Sequence, residues 1–184
     1  PTPVEEVKVP EPAPVEEVKA PELVNLIKNP NGDEGFDHWF KNFEGCCDEW
    51  AIHADGTYEG RSHTFVSSRA WCLLAQRVPI DPSRSYKVTV ITYASRRTDS
   101  GALAQLRVKV DNPSRKGLSE IETYEVELPG QSGDGTFCTY VPIKLEFSVE
   151  EGTTGIEVTL RGKDTVNWGG HYGARFGYTA LYLA

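Results

Sequence analysis

No apolar run in these 184 residues approaches the roughly 20 residues a bilayer-spanning helix requires. Basic clusters are also missing. The densest is Arg96-Arg97, in a chain whose formal net charge is -8. Nucleic-acid phosphates and anionic membrane surfaces repel that balance. Neither a nucleic acid nor a membrane span is therefore expected. The four cysteines, Cys46, Cys47, Cys72 and Cys138, follow no C-x-x-C spacing. Adjacent Cys46 and Cys47 suit neither a metal nor a disulfide, and a domain of this size needs no such staple. All four are read as free thiols in a reducing, cytoplasmic compartment, with no metal and no cofactor expected. Asn112-Pro113-Ser114 is spoiled as an N-glycosylation acceptor by its proline, which agrees with that compartment. No secretory leader is evident in the residues that open the chain.

Catalytic signatures are lacking as well. There is no G-x-S-x-G, no H-E-x-x-H and no phosphate loop. Cys72 has His63 nearby in sequence, but no third orienting group is evident. Most acidic residues fall at alternating strand positions that face solvent, which argues against a facing carboxylate pair. The expectation is a non-enzymatic protein.

What the chain does have divides at about residue 22. Pro-Val-Glu-Glu-Val-Lys occurs at 3–8 and again at 14–19, and prolines stand at 1, 3, 10, 12, 14 and 21. With six Glu and two Lys, residues 1–22 carry a charge of 2 − 6 = −4. Proline fixes φ and lacks an amide proton, so a long helix or central strand is excluded. Residues 1–22 read as a disordered, extended tail, or alternatively as a docking peptide for an aromatic-grooved domain.

Residues 23–184 read as one globular domain. Tyr86 to Tyr93 is β-branched and aromatic, and Leu103 to Val110 ends in strict alternation. Thr123 to Leu128, Lys144 to Val149 and Gly155 to Leu160 alternate at period two, and the strand-like Tyr178 to Leu183 closes the chain. Turn signals separate them at Asp81-Pro82, Asn112-Pro113, 130–135 and Glu151-Gly152. Short strands at this spacing predict an all-β antiparallel sandwich. Short helical turns are expected only around Glu22–Ile27 and Glu34–Phe40.

The run from Asp164 to Phe176 places Trp168, His171 and Tyr172 among Gly169, Gly170 and Gly173. Glycines let backbone turn and approach a ligand closely, and aromatics give large contact area at small entropy cost. With no nucleophile–base pair present, the composition suits recognition. His171 reads as a structural turn residue, Arg175 as the cation of a structural ion pair, and Trp39, Trp50 and Trp71 as core.

Three segments, Asn25 to Trp39, Ser67 to Gln76 and Asp164 to Phe176, together resemble the F-box-associated domain of the sugar-recognising F-box proteins. The resemblance covers about residues 23–184 and implies a jelly-roll-like sandwich of about ten antiparallel strands. The Trp168 to Arg175 stretch is similar to the nonspecific cytotoxic cell receptor branch, whose members carry a proline-rich N-terminus. An F-box of roughly 40–50 residues does not fit in 1–22, so binding to the Skp1 adaptor is expected to be weak or absent. In glycan-binding members the inner chitobiose of N-linked glycans lies on loops at one end of the sandwich. The resemblance carries that site onto Trp168, Asp99 of Thr98-Asp99-Ser100-Gly101, and either Phe65 or Arg69. Asn167-Trp168-Gly169 stands where those members have Tyr-Trp-Lys. Asn167 and Tyr172 are candidates to supply replacement contacts. Trp168 reads equally as loop packing, and Asp99 equally as a turn cap.

The expected function is recognition of a protein or glycoprotein partner, with a role in ubiquitin-dependent turnover implied by the resemblance. Chitobiose binding and action through the repeat tail are the alternatives.

Overall fold

The computed structural model describes residues 23–43, 50–53, 62–65, 71–96, 102–113, 122–128, 140–163 and 174–184. They form ten strands: β1 (Phe40–Phe43), β2 (Trp50–His53), β3 (Ser62–Phe65), β4 (Cys72–Pro79), β5 (Tyr86–Ser95), β6 (Leu103–Asp111), β7 (Glu122–Glu127), β8 (Val141–Val149), β9 (Gly155–Lys163) and β10 (Arg175–Leu183). All pairings among them are antiparallel. One sheet has the order β1-β4-β9-β6-β7, the other β2-β3-β10-β5-β8. Strands β3 to β10 thus distribute as β4-β9-β6-β7 over β3-β10-β5-β8, the jelly-roll arrangement, and β1 and β2 each extend one sheet. The all-β sandwich expected from the alternation is what the chain adopts.

Side-chain alternation explains why these segments are strands. In β6 the even positions Ala104, Leu106, Val108 and Val110 are buried, and the odd ones only partly. Ile156, Val158 and Leu160 of β9 stand beside them by register and are fully buried. Val88, Val90, Phe176 and Leu181 close the core from the facing sheet. Each such side chain contributes about 1.5–3 kcal/mol on burial. Cys72 is fully buried in this core as a free thiol, where it acts as a small hydrophobe.

Neither helical turn forms as expected. Residues 23–27 instead run beside β10. The Leu26 amide donates to the Leu181 carbonyl at 3.0 Å, and the Leu181 amide donates to Asn25 Oδ1 at 3.1 Å. β3 pairs with β10 only at Arg175 and Phe176, so the rest of that flank is open to this segment, and backbone donors there outcompete a local turn. Around 34–40 the chain makes successive i to i+3 turns, Gly35 amide to Gly32 carbonyl at 3.0 Å and Trp39 amide to Phe36 carbonyl at 2.9 Å. Positive φ at Gly35 (67°) and His38 (69°) breaks any helical continuation. Trp39 is buried as expected, its Nε1 donating to the Asn29 carbonyl at 3.1 Å.

Trp71 departs from its expected place. It lies outside the core cluster, with the Arg161 guanidinium 4.4 Å and the Lys163 ammonium 5.0 Å from its ring centroid. Arg161 and Lys163 alternate with inward-facing Leu160, which puts them on the outer face of their sheet. The apolar neighbours of Trp71 in sequence gave no sign of this, because it falls one residue before β4 begins.

Candidate recognition site

Strand register gathers five connections at one end of the sandwich. Phe43 pairs with Cys72, Cys72 with Gly162, Leu103 with Lys163, and Arg175 with both Ser95 and Thr64. The Leu128 amide donates to the Ala104 carbonyl at 2.8 Å, and Val141 pairs with Ala94. The β1–β2, β3–β4, β5–β6, β7–β8 and β9–β10 connections therefore all leave from this end.

Two of them share their anchorage. The β5–β6 connection, which carries Asp99, springs from Ser95 and re-enters at Leu103. The β9–β10 connection, which carries Asn167, Trp168 and Tyr172, springs from Lys163 and re-enters at Arg175. Ser95 is the direct partner of Arg175, and Leu103 of Lys163. Both feet of one connection are thus about 5 Å from the feet of the other, one pair in each sheet. Phe65 ends β3 one residue beyond Thr64, itself paired with Arg175. The side chain of Phe65, and Asp99, Asn167, Trp168 and Tyr172 in full, lie outside the described residues, as do Arg69, His171, Cys46, Cys47 and Cys138.

The foundations of these connections are tightly packed. Ser95, Ala102, Ala174 and Phe176 are fully buried. Arg96 Nη1 donates to the Ala102 carbonyl at 2.8 Å and closes the base of the β5–β6 connection. Further down the same ladder, beyond the register shift that follows Phe176, the hydroxyls of Thr92 and Thr179 meet at 2.9 Å in the buried core. Arg175 is buried, and burial pushes its guanidinium down to about 10. A buried charge fixes its surroundings strongly, because every alternative arrangement leaves it poorly solvated.

Beside this end, on the outer face of the β1-β4-β9-β6-β7 sheet, stands a polar cluster that sequence reasoning did not assemble. Arg161 Nη1 bonds to Gln105 Oε1 and lies 3.6 Å from Glu125 Oε1, which is also 3.8 Å from Arg107 Nη1. The register Leu73–Arg161–Gln105 and Ala75–Thr159–Arg107–Glu125 brings them together. Alternation within β6, β7 and β9 was legible in the sequence, but which strands are neighbours was not. Among the described residues no group of three or more His, Cys, Asp or Glu is placed to hold a metal. No helix among them is long and apolar enough to cross a membrane.

No family model matches the chain. It is 26% identical over 186 residues to F-box only protein 2 of Bos taurus, covering 86% of this chain and 58% of that protein. It is 27% identical over 164 residues to F-box only protein 27 of Mus musculus, covering 82% of this chain and 56% of that one. The chain spans a little more than half the length of these curated relatives. Among solved structures, the enzymatically active domain of the bacteriophage CBA120 tailspike protein 4 superposes with a TM-score of 0.59 at 14% identity, over 87% of this chain and 21% of that one. The K3 cleaved adhesin domain of Lys-gingipain from Porphyromonas gingivalis w83 gives 0.50 at 9% identity, over 83% and 97%. These two likenesses speak to the sandwich fold alone.

Proposed function

We propose that residues 23–184 are a non-enzymatic recognition module of the F-box-associated type, acting inside the cell and binding a protein or glycoprotein partner through the end of the sandwich where Ser95 meets Arg175. The observation that carries this is the shared anchorage: the connections bearing Asp99 and Trp168 rise from paired strand ends, on a buried base. Neighbouring feet allow a polar group of one connection and an aromatic ring of the other to serve a single ligand, a combination typical of recognition sites. Similarity to F-box only proteins 2 and 27 over most of the chain supports the same reading. A role in ubiquitin-dependent turnover, and a place in the nonspecific cytotoxic cell receptor branch, extend that proposal through the Trp168 to Arg175 stretch and the proline-rich residues before 23.

The test is affinity capture of partners from cell extract by the full chain. The same capture is run with Asp99→Ala, with Trp168→Ala and with Arg84→Ala, the last lying in the β4–β5 connection at the opposite end. The expected result is a partner lost with the first two substitutions and kept with the third. Retention in all three overturns the assignment.

A second reading, binding of chitobiose itself, is favoured by Asp99 and Trp168 jointly. One stacked ring and one hydrogen bond supply about 1 kcal/mol each, about 2 kcal/mol together, which corresponds to an affinity on the order of tens of millimolar. Saturable chitobiose binding that disappears in Trp168→Ala supports it, and no binding at sugar concentrations on the order of 100 mM rules it out.

A further inference from the structure

The outer face of β10, β5 and β8 bears three tyrosines. Tyr178 and Tyr182 lie four residues apart on one side of β10, their hydroxyls 3.3 Å from each other. Tyr93 faces the same way, since it alternates with buried Thr92 and Ala94. Ile91 and Thr89 continue the row, and Lys144 and Glu146 edge it, joined at 3.1 Å. At the lower end of this face is a groove of about 410 Å³ whose lining includes Leu23, Lys87, Thr89, Glu146, Phe147 and Tyr182.

Leu23 is the residue that connects this groove to the preceding chain. Residues 25–30 are fixed along β10. Asn25 Nδ2 donates to the Tyr178 hydroxyl at 2.9 Å, and the Thr179 amide donates to the Pro30 carbonyl at 3.1 Å. Gln76 grips Lys28 twice, accepting from its amide at 2.8 Å and donating to its carbonyl at 3.0 Å. The chain thus arrives at the groove in a fixed position, with Leu23 and Val24 54% and 69% exposed.

We propose that this tyrosine face is the docking surface for the chain's own proline- and glutamate-rich segment, specifically its nearer repeat copy, Pro14 to Lys19. Three features select this occupant. Aromatic-lined grooves take extended proline-containing segments, whose preset φ lowers the ordering cost. The charge is complementary: the nearer copy carries −1 from Glu16, Glu17 and Lys19, within residues 1–22 that carry −4, while Lys87, Lys144 and Glu146 contribute +1 to the face. The length also fits. An extended segment rises about 3.1 Å per residue, so the eleven residues 12–22 reach about 34 Å from Leu23. A nine-residue strand such as β10 is about 30 Å long. Residues 12–22 together therefore span the face from the groove to Tyr93. Within them residues 20–22 fall at the groove and the nearer copy, six residues or about 19 Å long, falls toward Tyr93, while the farther copy, Pro3 to Lys8, extends past the face. Tethering supplies an effective concentration of about millimolar, so weak contacts suffice.

The experiment labels surface tyrosines of the full chain with a nitrating reagent and reads each site by mass spectrometry. Two full-length variants are compared with it, P14S/V15S/V18S in the nearer copy and P3S/V4S/V7S in the farther one. Neither alters a residue of the sandwich, so folding is preserved. The expected result is a several-fold rise in labelling of Tyr182 and Tyr93 in the nearer-copy variant only, reversed by adding a synthetic peptide of residues 12–22. Equal labelling in all three proteins overturns the proposal, as does a rise confined to the farther-copy variant.

Discussion

Ser95 and Arg175 face each other across the β5–β10 ladder, and that single pairing puts one foot of the connection carrying Asp99 beside one foot of the connection carrying Trp168. Leu103 and Lys163 are paired as well, so the two connections have neighbouring feet in both sheets. A residue's distance along the chain, 69 positions between Asp99 and Trp168, is thereby removed as an obstacle to a shared surface.

Arg96 secures this base through its bond to the Ala102 carbonyl. A bond from a charged donor contributes about 1.5–3 kcal/mol, and partial exposure here places the expected loss at the lower end. Arg96→Ala should lower stability by about 1–2 kcal/mol in urea denaturation and weaken partner capture. Unchanged capture with lowered stability would separate the base from the binding surface.

Asn25 has the larger structural role. Its Nδ2 donates to the Tyr178 hydroxyl and to the Thr179 carbonyl, and its Oδ1 accepts from the amides of Ile27 and Leu181. Asn25→Ala should cost about 2–4 kcal/mol, since four bonds are lost together. Hydrogen exchange at the Leu26 and Leu181 amides would speed up with it. A cost below about 0.5 kcal/mol would mean the segment is held by apolar packing instead.

The bond with Tyr178, then burial, pushes the Tyr182 phenol up to about 12. Its neutral form is the one favoured, so this contribution to stability is complete below pH 10 and is lost as pH rises through 12. Arg175 acts in the opposite sense over nearby values, because the cost of its buried charge is relieved above about 10. Comparison with Tyr182→Phe isolates the tyrosine. Between pH 10 and 12 the wild type should lose stability relative to that variant, and its late phenolate absorbance should vanish in the variant. A phenol titrating near 10 would contradict the assignment.

Alkylation without reductant should yield four adducts under denaturing conditions, and Cys72 should react last in the native protein because it is fully buried. Two missing adducts would reveal a disulfide.

Strand positions were legible where one face is buried and the other wet. Leu103 to Val110 ends in strict alternation and forms β6 almost residue for residue. β10 extends the expected Tyr178 to Leu183 back to Arg175. Its register shifts between Phe176 and Thr179, which breaks the period-two pattern there. β1, β2 and β3 are four residues each, too short for a periodic signal. A helical turn is the expectation around Glu22–Ile27 because the β10 hydrogen-bond partners of Asn25 stand 153 residues or more away and leave no local signal. Sequence reading puts Trp71 in the core because local apolarity does not tell the two faces of a sheet apart just before a strand, here β4, begins. For the candidate site, the aromatic and glycine-rich composition of 164–176 was visible in sequence. That this run shares its anchorage with Asp99 follows only from strand register.

The most direct test of the shared surface is site-specific photo-crosslinking in cells, with the photoreactive residue placed at position 167 or, in the β8–β9 turn at the opposite end, at Glu151. The account predicts a discrete partner adduct from position 167 that Asp99→Ala abolishes, and none from position 151. An adduct from position 151 alone, or one from position 167 that Asp99→Ala leaves intact, would contradict it.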